Sequence, residues 1–131
     1  MFKMENLEIK IVMKVWGSEE WIVNTDKYCG KILRLKEGYR CSYHHHKNKD
    51  ETFYVLSGKV LLELEDSGII LNAGDSQRIF PKQNHRFTGL ARSDMVEFST
   101  HHEDSDSYRE TESEKIPDEE FRQLKLQYGV I

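Results

Sequence analysis

The stretch GYRCSYHHHKNKDETFYVLSG, which covers residues 38–58, contains two short runs typical of β-strands, at residues 41–46 and 52–56. A polar loop separates the two runs, and a glycine bounds the stretch at each end. The first run ends in three consecutive histidines. Side chains two positions apart in a strand lie on the same face, so this pattern predicts a hairpin with one histidine pair facing inward.

The same pattern extends over most of the chain, because short apolar or alternating runs are separated by turn residues at close intervals. Ten strands in succession with almost no helix predict an all-β fold, an antiparallel barrel or double-sheet jelly roll, rather than an α/β fold. The predicted strands lie near residues 9–16, 20–23, 28–36, 41–46, 52–56, 60–64, 68–71, 76–80, 85–88 and 95–99.

Composition limits the classes of function. The 131 residues suit a single domain, and 23 acidic against 19 basic side chains give a formal net charge of -4. Without a basic stripe, the sequence predicts no nucleic-acid partner. No apolar run is long enough to span a bilayer, which predicts no membrane partner. Two cysteines and an N-terminus without a long apolar stretch predict a cytoplasmic location.

The negative charge is concentrated in the last part of the chain, where residues 101–131 carry nine acidic and four basic side chains. We therefore divide the chain into a barrel domain, residues 1–100, and an acidic C-terminal segment, residues 101–131. Within that segment, PDEEFRQLKL at residues 117–126 predicts a short helix with Asp118 as N-cap or in an acidic first turn. Its apolar edge would dock on the barrel or on a partner subunit.

Three histidines and one glutamate form a candidate metal-binding set. The Cα atoms of His44 and His46 would lie about 6.6 Å apart on one face of a strand, so both imidazoles can converge on one ion while His45 faces away. A hairpin would bring Glu51 beside them, and His85 begins another predicted strand. Nitrogen and carboxylate donors together suit one divalent transition metal ion (Mn, Fe, Zn or Ni), whereas calcium fits poorly.

The other histidine pair, His101 and His102, follows the last predicted strand and precedes several acidic residues. We interpret this pair as part of an exposed turn in which Arg109 pairs with acidic side chains. A second metal site at this pair is the alternative.

The candidate ligands lie in a pattern that resembles the two sequence motifs of the cupin superfamily. The first motif is matched at every defining position: Gly38, His44, His46, Glu51 and Gly58. The second motif retains His85, its metal-ligand position. It departs from the usual pattern elsewhere, at Phe80, Lys82 and Gly89. The resemblance implies a small double-stranded β-helix, which agrees with the fold class predicted from the strands.

The cupin scaffold carries many functions, including isomerases, epimerases, dioxygenases, decarboxylases, storage proteins and regulators. The Trp16-Gly17 pair before the first motif resembles the lead-in of the mannose-6-phosphate isomerase-like cupins. This resemblance implies a carbohydrate substrate, a sugar or sugar phosphate, and isomerase or epimerase chemistry through an enediol. A metal-dependent dioxygenase and a non-catalytic metabolite-binding cupin are the alternatives.

Lys31 and Glu97 are candidate catalytic residues, because each lies among residues of a predicted strand that would face the interior. Burying such groups is costly unless they are paired with each other, with a ligand or with the metal. Glu97 could then transfer a proton while Lys31 holds an anionic oxygen or a phosphate. In the alternative arrangement both face solvent, and Val96 and Phe98 face the core. Exposed edge strands and the C-terminal segment predict a homodimer.

Overall fold

A computed structural model of the protein describes residues 4–130, which form thirteen β-strands and one α-helix. Every strand pairing is antiparallel, so the predicted all-β fold with a short C-terminal helix is confirmed. The strands are β1 (Lys10–Lys14), β2 (Gly17–Asn24), β3 (Cys29–Leu35), β4 (Tyr39–Arg40), β5 (His44–His45), β6 (Glu51–Ser57), β7 (Lys59–Leu64), β8 (Ser67–Asn72), β9 (Ser76–Ile79), β10 (His85–Gly89), β11 (Ser93–Ser99), β12 (Tyr108–Arg109) and β13 (Glu114–Lys115), and the helix α1 is Asp118–Gln127.

The strands form two sheets. The first has the order β1-β2-β3-β11-β6-β9. The second has β12-β5-β10-β4-β13, and β7 and β8 extend it because β7 also pairs with β10. This is the double-sheet arrangement expected of a jelly roll.

Of the predicted strand at residues 41–46, only β5 (His44–His45) is a strand in the structure, and β4 lies just before it. Between them, the backbone N–H of Ser42 and of Tyr43 donates to hydroxyl oxygens of the C-terminal segment, at 3.1 and 2.9 Å. At this point, hydroxyl groups that are distant in the sequence accept the backbone hydrogen bonds that a neighbouring strand would otherwise accept. Local periodicity does not reveal such an arrangement.

The interior changes from apolar to polar along the first sheet. At one end, Leu33 lies opposite Met95, which lies opposite Val55, and all three are buried. One inward-facing row further along, Lys31 lies opposite Glu97. The fold therefore places charged side chains inside the barrel next to a packed core.

The C-terminal segment contributes to the second sheet through β12 and β13, and Ile116 is buried. Helix α1 begins after Pro117, which precedes three acidic residues in the first turn. Arg40 of β4 forms ion pairs with Glu114 and, at 2.7 Å, with Glu120 of the helix. The helix thus lies against the barrel of its own chain, while the division of domains at residue 100 stays a prediction. Within residues 4–130, no helix combines the length and the apolar character needed to cross a membrane.

Candidate metal centre and active site

The fold brings together the three histidines that the sequence analysis selected. His44 on β5 lies directly opposite His85 on β10, and His46 follows β5. One potential ligand atom from each of the three lies within 4.8 Å of the others. Within residues 4–130 this is the single group of three or more such residues, so the alternative of a second metal cluster at His101 and His102 gains no support.

Each histidine of the triad is oriented by a hydrogen bond from its Nδ1 atom. The acceptors are the backbone carbonyl oxygens of Ser42 for His44 (2.7 Å), Asp106 for His46 (2.6 Å) and Gln83 for His85 (3.0 Å). A carbonyl oxygen only accepts hydrogen bonds, so Nδ1 carries the proton and Nε2 of the neutral ring keeps its lone pair. This is the arrangement in which metal-binding histidines are usually held.

Glu51 lies beside the histidine triad. Its Oε2 atom lies 3.3 Å from Nε2 of both His46 and His85. Oε2 of Glu51 and Nε2 of His85 are buried and have no hydrogen-bond partner among residues 4–130. Buried polar atoms of this kind need an explanation. A nitrogen lone pair and a carboxylate oxygen that face each other repel, unless a cation lies between them. The three histidines and Glu51 therefore fit a divalent metal ion.

The protonation of this site favours metal binding. Burial, together with the neighbouring His85, lowers the pKa of His44 to about 3, so its imidazole is neutral at physiological pH. Burial alone would raise the pKa of the Glu51 carboxyl, but the positive charge of Lys49 holds it well below its ordinary value. Neutral imidazoles and an ionised carboxylate are the forms that bind metals.

Lys31 and Glu97 both face the interior, so the alternative in which they face solvent is wrong. Their exposed fractions are only 1% and 4%. Although the two lie opposite each other on neighbouring strands, they pair with other residues. Lys31 Nζ lies 3.2 Å from a carboxylate oxygen of Glu19 and over the ring of Trp21, while Glu97 accepts a 3.0 Å hydrogen bond from Lys49.

Lys49 and Glu19 are site residues that the sequence analysis missed. Lys49 lies in the loop between the two runs, yet it is only 4% exposed, and its Nζ atom lies 3.5 Å from Oε1 of Glu51. Strand periodicity gives no signal for it, because Lys49 precedes β6, which begins at Glu51. Lys31 and Lys14 hold the pKa of Glu19 below its ordinary value, against the opposing effect of burial.

The prediction of an exposed turn at His101 and His102 is wrong for His102. Its side chain is 11% exposed and lines the cavity beside the triad. Lys49 Nζ donates to Nδ1 of His102 at 3.1 Å, which leaves the proton on Nε2 to be donated to Asp104 at 2.9 Å. The pairing of Arg109 with an acidic side chain is seen, at 3.7 Å from Glu112.

Most of these groups, though not His85, line one cavity of about 310 Å³. Its wall includes His44, His46 and Glu51 from the candidate metal site, and both lysine–glutamate pairs. A cavity of this size with convergent polar groups suits a small, strongly polar molecule next to the candidate metal site.

Comparison with known proteins agrees with this picture. Residues 31–99 match the family model of the cupin domain, Cupin_2. A D-lyxose/D-mannose isomerase from Thermosediminibacter oceani is 32% identical, over 73% of this chain and 69% of that protein.

Solved structures share the fold. A variant of Streptomyces PAC13 with uridine has a TM-score of 0.75 at 16% identity, covering 92% of this chain and 98% of that one. KdgF from Halomonas sp. has a TM-score of 0.63 at 20% identity, covering 67% of this chain and 81% of that one. At such low sequence identity, these two structures indicate a shared fold and nothing about function. Because the family model spans more than half of the chain and the isomerase aligns with most of it, the protein belongs to the Cupin_2 family of the cupin superfamily.

Proposed function

We propose that the protein is a metal-dependent aldose–ketose isomerase acting on a small sugar. The observation that carries this proposal is the largely buried histidine triad beside the Glu51 carboxylate, next to a cavity whose wall includes two lysine–glutamate pairs. The distant homology to a protein named as a D-lyxose/D-mannose isomerase supports the choice of reaction.

In this proposal His44, His46, Glu51 and His85 hold one divalent ion, Mn, Fe, Zn or Ni. When bound, the metal would polarise the carbonyl of the open-chain sugar and so make the proton on the adjacent carbon easier to remove. The protein has to supply a base for that proton and a donor for the oxygen on which negative charge develops.

Glu97 is proposed as the base. Its carboxylate lies in the cavity wall and is held by the 3.0 Å bond from Lys49. It would take the proton from the carbon next to the carbonyl and return it to the former carbonyl carbon, while a second proton moves between the two oxygens. Lys31 is proposed to donate a hydrogen bond to the developing oxyanion, since its ammonium is buried and held by Glu19 in the same cavity.

The test is hydrogen exchange with solvent. Metal-loaded protein is incubated in deuterium oxide with D-lyxose, D-mannose and a panel of other sugars and sugar phosphates, and deuterium beside the carbonyl is followed by NMR. We expect exchange and ketose formation with at least one sugar. Glu97→Gln should lower kcat on the order of 100-fold or more with unchanged metal content. The matched control is Glu63→Gln, since Glu63 pairs with Arg86 outside the cavity.

Three results would contradict the proposal. Absence of both exchange and ketose formation with every sugar removes the isomerase assignment. Oxygen consumption by the iron-loaded protein would favour the dioxygenase alternative instead. Sugar binding without any turnover would favour the metabolite-binding alternative.

We also propose a homodimer formed through β1. This strand is an edge, paired on one side by β2, and its outward side chains Ile11 and Met13 are 62% and 76% exposed. An edge strand can pair antiparallel with its own copy across a two-fold axis. Light scattering after size exclusion should show a dimer, and Met13→Lys should shift it toward the monomer. A monomeric wild-type protein would refute this arrangement.

A further inference from the structure

The C-terminal segment reaches the candidate metal site directly. β12 pairs with β5, so that Arg109 lies opposite His44 and Tyr108 opposite His45. The rings of Tyr108 and His45 are stacked with their centroids 5.2 Å apart. β12 therefore lies along β5, the strand that carries His44.

Asp106 makes the closest of these contacts. Its backbone carbonyl oxygen accepts the 2.6 Å hydrogen bond from Nδ1 of His46. Its side chain is a buried carboxylate. It accepts hydrogen bonds from the three backbone amides that follow His46: Lys47 at 2.8 Å, Asn48 at 3.1 Å and Lys49 at 3.1 Å. One residue thus contacts both the imidazole of His46 and the loop that joins His46 to Glu51.

We propose that Asp106 is a positioning residue of the metal centre. Its carboxylate holds the loop of residues 47–49, and this fixes its own carbonyl oxygen against His46, so that Nε2 of His46 points toward the other ligands. The inference rests on the proposed metal site. It also makes the acidic segment a structural part of that site rather than an appendage.

The physical reason lies in the three amides. If the carboxylate is removed, three buried or half-buried N–H groups lose their acceptor, and leaving such groups unpaired is unfavourable. The loop then moves to find other partners, and the carbonyl at residue 106 moves with it. His46 would lose the bond that fixes its tautomer and ring orientation, and residues that orient metal ligands typically contribute 10- to 100-fold to metal affinity.

The experiment compares Asp106→Asn with Glu112→Gln, which neutralises an 83% exposed carboxylate of the same segment. Asparagine has the shape of aspartate but turns an NH2 group toward amide donors. Calorimetric titration with Mn²⁺ or Co²⁺ should show affinity weaker by about 10- to 100-fold for Asp106→Asn, and affinity within about twofold of the wild type for the control. The visible spectrum of the Co²⁺ protein should change in Asp106→Asn alone.

A second readout needs no metal. In metal-free protein, the ¹⁵N signals of His46 should report a proton on Nδ1 in the wild type and a mixture of tautomers in Asp106→Asn. Far-UV circular dichroism verifies that each variant is folded. If Asp106→Asn does not fold, Asp106→Ser takes its place, because a hydroxyl still accepts one of the amide bonds.

Native metal affinity together with an unchanged His46 tautomer, in a folded variant, would overturn the proposal. Failure of the wild type to bind any divalent metal would instead overturn the proposed metal site. In that case the His46 signals of the metal-free proteins still decide whether Asp106 positions the ring.

Discussion

Replacing Lys49 by methionine is expected to lower the free energy of unfolding of the metal-free protein by about 3–5 kcal/mol at pH 7. The ammonium group is buried and lies 3.0 Å from Oε2 of Glu97 and 3.5 Å from Oε1 of Glu51. Methionine fills similar space but leaves two buried carboxylates without this counter-charge. At roughly 3–4 °C per kcal/mol for a chain of this length, the melting temperature should fall by about 10–20 °C.

The loss should depend on pH in a defined direction. In the wild type, Lys49 lowers the folded-state pKa of Glu51 against the effect of burial. The resulting stabilisation is fully present at pH values above the ordinary carboxyl pKa of 4.5. It is lost as the pH falls through the lowered folded-state pKa. Without Lys49 the folded-state pKa of Glu51 rises, so the variant takes up protons in its folded state. Its deficit against the wild type should be largest near neutral pH and smaller at pH 5.

The assay is urea unfolding in the presence of EDTA at pH 7 and pH 5, followed by tryptophan fluorescence. Lys59→Met is the matched control, because its ammonium bonds Asn72 at an exposed site, and we expect a change within about 0.5 kcal/mol. The double variant Lys49→Met/Glu97→Gln should lose less free energy of unfolding than the sum of the two single variants, and the difference should be about 1 kcal/mol or more. A loss below about 1 kcal/mol, or a deficit that grows on acidification, would refute the reasoning.

Three further predictions follow from the same geometry. His85→Gln should abolish stoichiometric metal binding measured by elemental analysis, whereas His45→Gln, outside the triad, should retain it; metal retained by His85→Gln would exclude that ligand. Gly58→Ala should destabilise the protein by more than about 2 kcal/mol in urea unfolding, because Gly58 has φ +93° and a Cβ there would meet a side-chain oxygen at 2.2 Å. Gly74→Ala, with φ +94° and open space around it, should cost only about 1 kcal/mol, and equal losses at the two glycines would contradict the argument. The folded-state pKa of His44 is about 3, below its ordinary 6.5. Between these pH values the unfolded chain binds a proton that the folded chain does not, so this group makes the metal-free protein less stable as the pH falls. His44→Gln should therefore flatten the dependence of stability on pH by up to about 1.4 kcal/mol per pH unit, and identical slopes would count against a buried neutral imidazole.

Much of the fold could be predicted from local pattern. Alternating and short apolar runs locate the strands, because strand side chains alternate between faces whatever lies beyond the strand. The same rule places His44 and His46 on one side, and acidic residues after Pro117 correctly indicate the start of α1. His85 enters the candidate set as the first residue of another predicted strand, and the resemblance to cupin motifs supports it; its pairing with His44 spans 41 positions of sequence.

The residues that were missed share a different property. Lys49 meets Glu97 across 48 positions, and Asp106 meets Lys47 across 59. In sequence, each of them reads as an ordinary charged residue of a polar stretch. Only their partners explain why they are buried, and those partners come from strands or segments that periodicity does not bring together.

The sequence by itself determined the all-β class, the C-terminal helix and the inward parity of the histidine pair, since each depends on backbone geometry within a few residues. Only the tertiary structure decided that Lys31 and Glu97 face the interior but pair with Glu19 and Lys49, and that the acidic segment lies against the histidine triad. Electrostatic pairing inside a barrel is selected by the packing of both sheets together, because a buried charge is stable only where distant parts of the chain supply its partner.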